Sequence, residues 1–389
     1  YINYEYLTIS DLMDLISEYL AKKLNNQELE AELARLAEEY NKLRNTYLLI
    51  YAGNIVKPVP DIALSMDDYY QIYAMLKDVE SSALDFYIET PGGSGEAAEE
   101  IVRFLRTKFE NVNFVVSGES KSAGTLIVLS GDEIWMSNSG SLGPIDAQVR
   151  IGRTTISAFD YMEWITEKYD EANKNKVLNP LDATMIAQIS PGELKLVFNA
   201  LKFAEDLVVK WLSRYKFKNW TFTETRGKQV TKKMRKDRAS KIVDDLINHG
   251  RWRSHGRSIK IEDLEDIGLR INRIDDDKHM AEIVYRIQTV IRLLFANSNT
   301  YKLFVTQDGK TFKNANPVKT TNQPLMKPDV VDLEIKCEKC GKIYHYYKNL
   351  KEDKQIPELD KKGYSPIPED DKIVCECGKE LDLVKVHEE

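Results

Sequence analysis

The sequence predicts an α/β protein in which a parallel sheet is covered by helices. Strand-like and helix-like segments alternate from Tyr47 through Met136, the pattern of strands joined by crossover helices. Two short turns about thirty residues apart each follow an apolar run and open a helix-like one; they are rich in glycine and serine. All four cysteines fall near the end of the chain, outside that alternation. With 389 residues, there is room for one large core and one or two appendages.

The N-terminal region comes first. Leu12, Leu15, Ile16, Tyr19 and Leu20 form one apolar stripe, and Leu29, Leu33, Leu36, Tyr40 and Leu43 form another, with Asn25 and Asn26 as the break between them. The second has the spacing of a coiled coil or of an amphipathic helix packed on its own domain, and both readings stand. Residues 47–56 read as a first strand, and Met66 to Val79 as a helix begun by Ser65. Leu84 to Ile88, Val112 to Val116 and Glu133 to Met136 are strand-like. Thr155 to Ala204 is mostly helical, with turns near Asn179-Pro180 and Ser190-Pro191-Gly192. Arg226 to Arg238 is dense in Lys and Arg in a helix-forming context; such runs are usually solvated faces, with nucleic acid or an acidic partner as the less expected occupant. Ile283, Val284, Ile287, Val290, Ile291 and Leu294 stripe a later helix, and Asp308-Gly309 suggests a short hairpin before an Asn- and Pro-rich linker. The expected domains are residues 1–46, 47–275, 276–330 and 331–389.

Composition narrows the function classes. A net charge of −7 gives no general reason to expect nucleic-acid binding, because phosphate contact favours basic surfaces. Uninterrupted apolar stretches all fall short of the ~20 residues that a bilayer-crossing helix needs. No signal-peptide pattern opens the chain, so the expectation is a cytoplasmic protein without a membrane span. The chain starts at Tyr1 and not at methionine, which leaves a removed leader open.

The turns carry the chemistry. In Tyr87-Ile-Glu-Thr-Pro-Gly-Gly-Ser-Gly95, Gly92 and Gly93 follow a strand, where glycine lets bare N–H groups turn toward a bound carbonyl oxygen. In Gly118-Glu-Ser-Lys-Ser-Ala-Gly-Thr125, Ser122 stands at a strand-to-helix turn, where unpaired N–H groups favour developing negative charge. Serine is also a favoured helix cap, the plain alternative for Ser122.

Four ordered motifs, Glu89-Thr-Pro-Gly-Gly93, Ser122-Ala-Gly-Thr125, Asp132-Glu-Ile-Trp-Met136 and Leu142-Gly-Pro-Ile-Asp-Ala-Gln148, resemble the serine dehydrogenase proteinase family. That family is a distant relative of the Clp protease and of signal peptide peptidase A, within the Clp/crotonase fold, a spiral of strand-strand-helix units. The likeness spans residues 48–272. It implies that Ser122 is a nucleophile and that the N–H groups of Gly92 or Gly93 and of Ala123 hold the oxyanion. It also implies a homo-oligomer, since relatives form rings or dimers around their sites.

A serine hydroxyl needs a base. Clp-type proteases place a histidine where this chain reads Gly143-Pro-Ile-Asp-Ala-Gln148, and no histidine lies between Ser122 and His249, so a Clp-ordered triad is excluded. Two replacements remain. The resembling family uses the order Ser, Asp, His, which maps onto Ser122, Asp146 and His255, with Asp146 orienting the imidazole. Signal peptide peptidase A uses a lysine instead, and Lys168, Lys174 and Lys176 fall in the corresponding window. Such a lysine must be desolvated to lose its charge, and Glu167 and Asp170 beside Lys168 oppose that. Lys121, next to the nucleophile, is a weaker candidate because adjacent helical side chains point apart.

Cys337-Glu-Lys-Cys-Gly-Lys342 and Cys375-Glu-Cys-Gly-Lys379 look like two zinc knuckles. Four ligands, Cys337, Cys340, Cys375 and Cys377, would close the coordination shell, so the metal is expected to be structural Zn2+ in a zinc ribbon. His345 and His387 are expected to be spectators.

The sequence thus reads as a serine endopeptidase cleaving peptide or protein substrates through an acyl-enzyme on Ser122. Two rivals accompany it: a crotonase-type acyl-CoA enzyme using only the N–H cradle, and a non-catalytic adaptor binding partners through the zinc ribbon.

Overall fold

The computed structural model describes residues 9–57, 59–145, 147–151, 154–223, 225–315, 330–349, 357–368 and 372–382. The chain divides into two compact units, Tyr1–Asn316 and Pro317–Glu389.

The first unit is built on a seven-stranded sheet. Its strands in chain order are β1 (Tyr47–Gly53), β2 (Ala83–Glu89), β3 (Asn111–Val116), β4 (Ile134–Met136), β5 (Asn272–Arg273), β6 (Thr300–Val305) and β7 (Lys310–Asn314). They lie side by side as β7-β6-β1-β2-β3-β4-β5. Strands β1 to β5 are parallel, and β6 adds to β1 antiparallel with Ile50 opposite Val305. The hairpin expected at Asp308-Gly309 is the β6–β7 turn, and it extends the main sheet. All of β1 is buried, as a parallel strand covered on both faces must be, which is why Tyr-Leu-Leu-Ile-Tyr-Ala reads as a continuous apolar run.

Side chains of β1 alternate between two cores. Tyr47, Leu49 and Tyr51 join Leu84, Phe86, Ile88, Val112 and Phe114 on one face; Leu48, Ile50 and Ala52 join Leu303 and Val305 on the other. The first face is covered by α3 (Met66–Leu76), α4 (Gly95–Lys108), α5 (Ala123–Val128), α8 (Pro191–Trp211), α9 (Lys232–Ile247) and α11 (Ile261–Asp266). Ser65 begins α3, its N–H donating to the Asp68 carboxylate at 2.9 Å. Between α5 and α8 the chain makes a hairpin, Gln148–Ile151 with Thr154–Ser157, then α6 (Ala158–Asn175) and α7 (Pro180–Ala187).

The second face is covered by α1 (Ile9–Lys22), α2 (Asn26–Arg44) and α12 (Lys278–Asn297). Leu29, Leu33, Leu36 and Tyr40 bury the stripe of α2 against α12 and the sheet. Tyr40 Oη donates to the buried carboxylate of Asp85 at 2.7 Å, and Asn113 Nδ2 does so at 2.8 Å. The stripe expected to serve a coiled coil or the chain's own domain is therefore consumed within the chain. Accordingly, the boundaries expected after residues 46 and 275 are not boundaries of packing: α2 and α12 complete one core, and the division falls at Asn316. The basic run is also less helical than expected. Phe222 and Gln229 form a bridge that takes in its first residues, and α9 begins only at Lys232.

In the second unit, Val330–Lys336 pairs antiparallel with Ile343–Asn349, and Lys372–Val374 with Glu380–Asp382. A small core of Ile335, Cys337, Ile373, Cys375 and Leu381 joins them. Among the described residues, no helix is long and apolar enough to cross a membrane.

Candidate active site

The segment Thr90–Gly93 leaves the C-terminal end of β2 and runs between two others. On one side Leu64 N–H donates to Gly92 O (2.7 Å) and Ser94 N–H to Leu64 O (2.9 Å). On the other, Thr90 N–H donates to Glu119 O and Lys121 N–H to Thr90 O, both at 2.9 Å. Because Leu64 bonds the residues flanking Gly93, the N–H of Gly93 itself points away from Leu64.

Glycine is required at both positions. Gly92 has φ 98° and Gly93 φ 152°. A Cβ on Gly92 would lie 2.6 Å from Ser122 Cβ and 3.2 Å from Ala123 N; one on Gly93 would lie 2.3 Å from Leu64 O. The same close approach brings the loop against the Ser122–Ala123 peptide.

Ser122 has φ 48° and ψ −117°, a conformation that costs a non-glycine residue about 1–3 kcal/mol. It precedes α5 without capping it: its side chain accepts no cap hydrogen bond, and it is partly exposed. The N–H groups of Gly93 and Ala123 have no partner among the described residues, whereas Gly92 N–H donates to Thr90 Oγ1 at 3.2 Å. Thr125 Oγ1 bridges the turn to the next strand segment, donating to Ser120 O and accepting from Gly143 N–H.

His255 occupies a turn in which Arg257 N–H donates to Ser254 O at 3.0 Å; the turn lies between α10 (His249–Trp252) and α11. The chain beyond it returns to the site: Ile259 and Leu142 exchange backbone hydrogen bonds of 2.9 and 3.1 Å, and Ser141–Leu142 pairs in turn with Glu119–Ser120. Asp146 lies outside the described residues. Of the lysines weighed as bases, Lys168 and Lys174 are placed differently. Lys168 bonds Asp182 at 2.7 Å and Glu171 at 3.0 Å, and these hydrogen bonds raise its pKa, holding it as a cation. Lys174 is exposed in the last turn of α6.

Sequence reasoning missed the lattice behind the loop. Lys302, buried on β6, donates to Asp68 Oδ2 at 2.8 Å and to Ala63 O at 3.0 Å. Asp68 also accepts from Ser65 N–H (2.9 Å) and Tyr51 Oη (3.3 Å). Together they hold Leu64 where it supports Gly93. The only local signal was the Ser65-to-Asp68 cap spacing, since Lys302 is 234 residues away.

The profile of the ClpP-like SDH-type serine proteinases matches residues 62–206, which include the whole Thr90–Gly93 loop and Ser122. The likeness to that family is one of this stretch, which is less than half of the chain. Two proteins of Methanocaldococcus jannaschii are also similar. Uncharacterized protein MJ0137 is 22% identical over 309 residues, 78% of this chain and 90% of that protein. Uncharacterized protein MJ1495 is 23% identical over 193 residues, 50% of this chain and 53% of that one. Among solved structures, a mutant of the 1510-N membrane-bound stomatin-specific protease aligns over 58% of this chain and 79% of its own, at 13% identity and TM-score 0.32. A mutant of ClpP1 from Listeria monocytogenes aligns over 62% and 98%, at 13% identity and TM-score 0.33. The family likeness thus rests on the sequence profile over residues 62–206.

In the second unit the ligand atoms of Cys337, Cys340, Cys375 and Cys377 all lie within 4.8 Å of one another. The Cys337 and Cys377 sulfurs are 3.7 Å apart, and those of Cys340 and Cys375 3.4 Å. Tetrahedral Zn–S bonds of about 2.3 Å separate sulfurs by about 3.8 Å, so the cluster fits a metal ion. Gly341 (φ 75°) and Gly378 (φ 81°) close the two cysteine turns, and no histidine joins the group among the described residues.

Proposed function

We propose that this chain is a serine peptidase that cleaves peptide bonds through an acyl-enzyme on Ser122. The observation that carries the reading is the pairing of a strained, uncapped, partly exposed serine with two unengaged N–H groups, those of Gly93 and Ala123. Ser122 Oγ attacks the scissile carbonyl carbon while its proton passes to the base. The carbonyl oxygen becomes the oxyanion and is met by the two N–H groups. The C–N bond then breaks as the base returns the proton to the leaving amine, and water repeats the sequence to release the acid. Gly92 contributes by its lack of a side chain, because its own N–H is given to Thr90.

His255 is the base in this reading, with Asp146 as its orienting carboxylate. Its turn feeds into the strand that pairs with Leu142 beside the nucleophile, while Lys168 is neutralised by two carboxylates and Lys174 is solvated. The four cysteines hold a structural Zn2+ in a ribbon-like unit, where the ion supplies a cross-link. The substrate is a peptide or protein segment. Exposed Tyr169, Leu181, Met185, Leu196 and Phe198 on α6–α8 support homo-oligomerisation, which light scattering during size exclusion tests by a mass above 44.8 kDa.

A fluorophosphonate probe tests the central claim. It should label the wild-type protein at Ser122 and leave Ser122→Ala unlabelled. Gly92→Ala, which drives a methyl group into Ser122, should cut labelling by about 10²-fold or more. An unlabelled wild-type protein would transfer the assignment to the acyl-CoA or adaptor readings.

A further inference from the structure

We propose that Lys121 is a positioning residue that keys the His255 turn to the nucleophile turn. The inference rests on the peptidase reading above and adds a residue to it.

Lys121 is buried although it adjoins a partly exposed serine. Its Nζ donates to Ser258 Oγ at 2.8 Å, to Arg257 O at 3.2 Å and to Leu142 O at 3.3 Å. An ammonium has three N–H bonds, and these three acceptors use all of them. None is left for Ser122, which separates Lys121 from the lysine bases of Ser-Lys enzymes. Burial lowers its pKa, opposed by Glu119 and assisted by Lys260, but the complete set of acceptors favours the protonated form.

The same residue touches every other part of the site. Its N–H holds Thr90 O at the start of the glycine loop, and its C=O accepts from Gly124 N–H in the first turn of α5 at 2.8 Å. Its stem runs along Gly143, where an added Cβ would come within 2.9 Å of Lys121 Cδ. One side chain therefore joins the oxyanion loop, the nucleophile turn and the segment that follows His255. Lys260, the next lysine, reaches instead to Ser139 O and Gly140 O.

Lys121→Met keeps the stem and removes the three donors. It is expected to slow fluorophosphonate labelling of Ser122 by about 10²-fold, the scale of an ångström-sized misplacement of a base. It should also raise the hydrogen exchange of amides 254–258 while leaving that of β1 and β2 unchanged. Ser258→Ala, which removes the shortest contact and keeps the cation, should show the same two effects at smaller size; it decides the matter if Lys121→Met does not fold. In a His255→Ala background the further loss from Lys121→Met should vanish, because a residue acting through the imidazole has nothing left to position. Equal losses in both backgrounds, or unchanged exchange at 254–258, would overturn the clamp. A wild-type protein that takes up no probe overturns the peptidase reading instead, and exchange in Lys121→Met still decides whether the clamp exists.

Discussion

The two units of this chain are held together by different physics. The first buries two apolar layers on opposite faces of one sheet, with paired polar groups among them, as at Asp85 and at Lys302–Asp68. In the second, the core cluster among the described residues has five members, and two of them belong to the four-cysteine group that could hold a metal ion. A core that small does not by itself offset the chain entropy of folding, so in the reading proposed above the metal cross-link supplies the difference. The contrast teaches that one sequence can specify a unit through hydrophobic patterning or through a few fixed ligands.

Metal removal should expose this difference most strongly. Structural zinc in small domains supplies about 10–16 kcal/mol of folding free energy, so a chelator should abolish exchange protection at residues 330–349 and 372–382. The sheet of the first unit should keep its protection; its joint loss would break the comparison.

A smaller but still large effect is expected within the first unit. Lys302→Met leaves buried Asp68 with only the more distant Lys313, 3.5 Å from it, and should cost about 3 kcal/mol in denaturant unfolding. Because Asp68 also holds Ser65, the same variant should slow labelling of Ser122 while leaving the second unit untouched. Wild-type stability in Lys302→Met would show that the pair is dispensable.

The smallest effect concerns Glu89, at the end of β2. Burial raises its pKa, and Arg292, 2.5 Å away, only partly opposes this. A carboxyl with a raised folded-state pKa binds its proton more tightly folded than unfolded. Its favourable contribution is present below the ordinary carboxylate range and is lost as pH rises through the raised value. Glu89→Gln should therefore gain stability relative to the wild type as pH rises above the ordinary carboxylate range. A pH-independent difference would assign the carboxylate a fully compensated ion pair.

Much of this was legible in the residues themselves. The strands β1 to β4 follow their apolar runs, and Gly92, Gly93 and Ser122 stand at turns that their own conformations demand. The cysteine turns, with their glycines, are equally local. What escaped was whatever depends on partners far along the chain. The stripe of α2 fitted a coiled coil as well as it fitted the sheet, and only the packing of α12 beside it decides between them. Lys121 was set aside because neighbours on a helix diverge, yet its acceptors lie 21 to 137 residues away.

By itself, the sequence determined the periodicities, the glycines that permit unusual backbone and the ligand set of the second unit, because each is a property of neighbouring residues. The tertiary structure decided which N–H groups stay free beside Ser122, which lysines are neutralised and which segment reaches the nucleophile. Those outcomes depend on desolvation and on distances between remote parts of the chain, and neither exists before the sheet has formed.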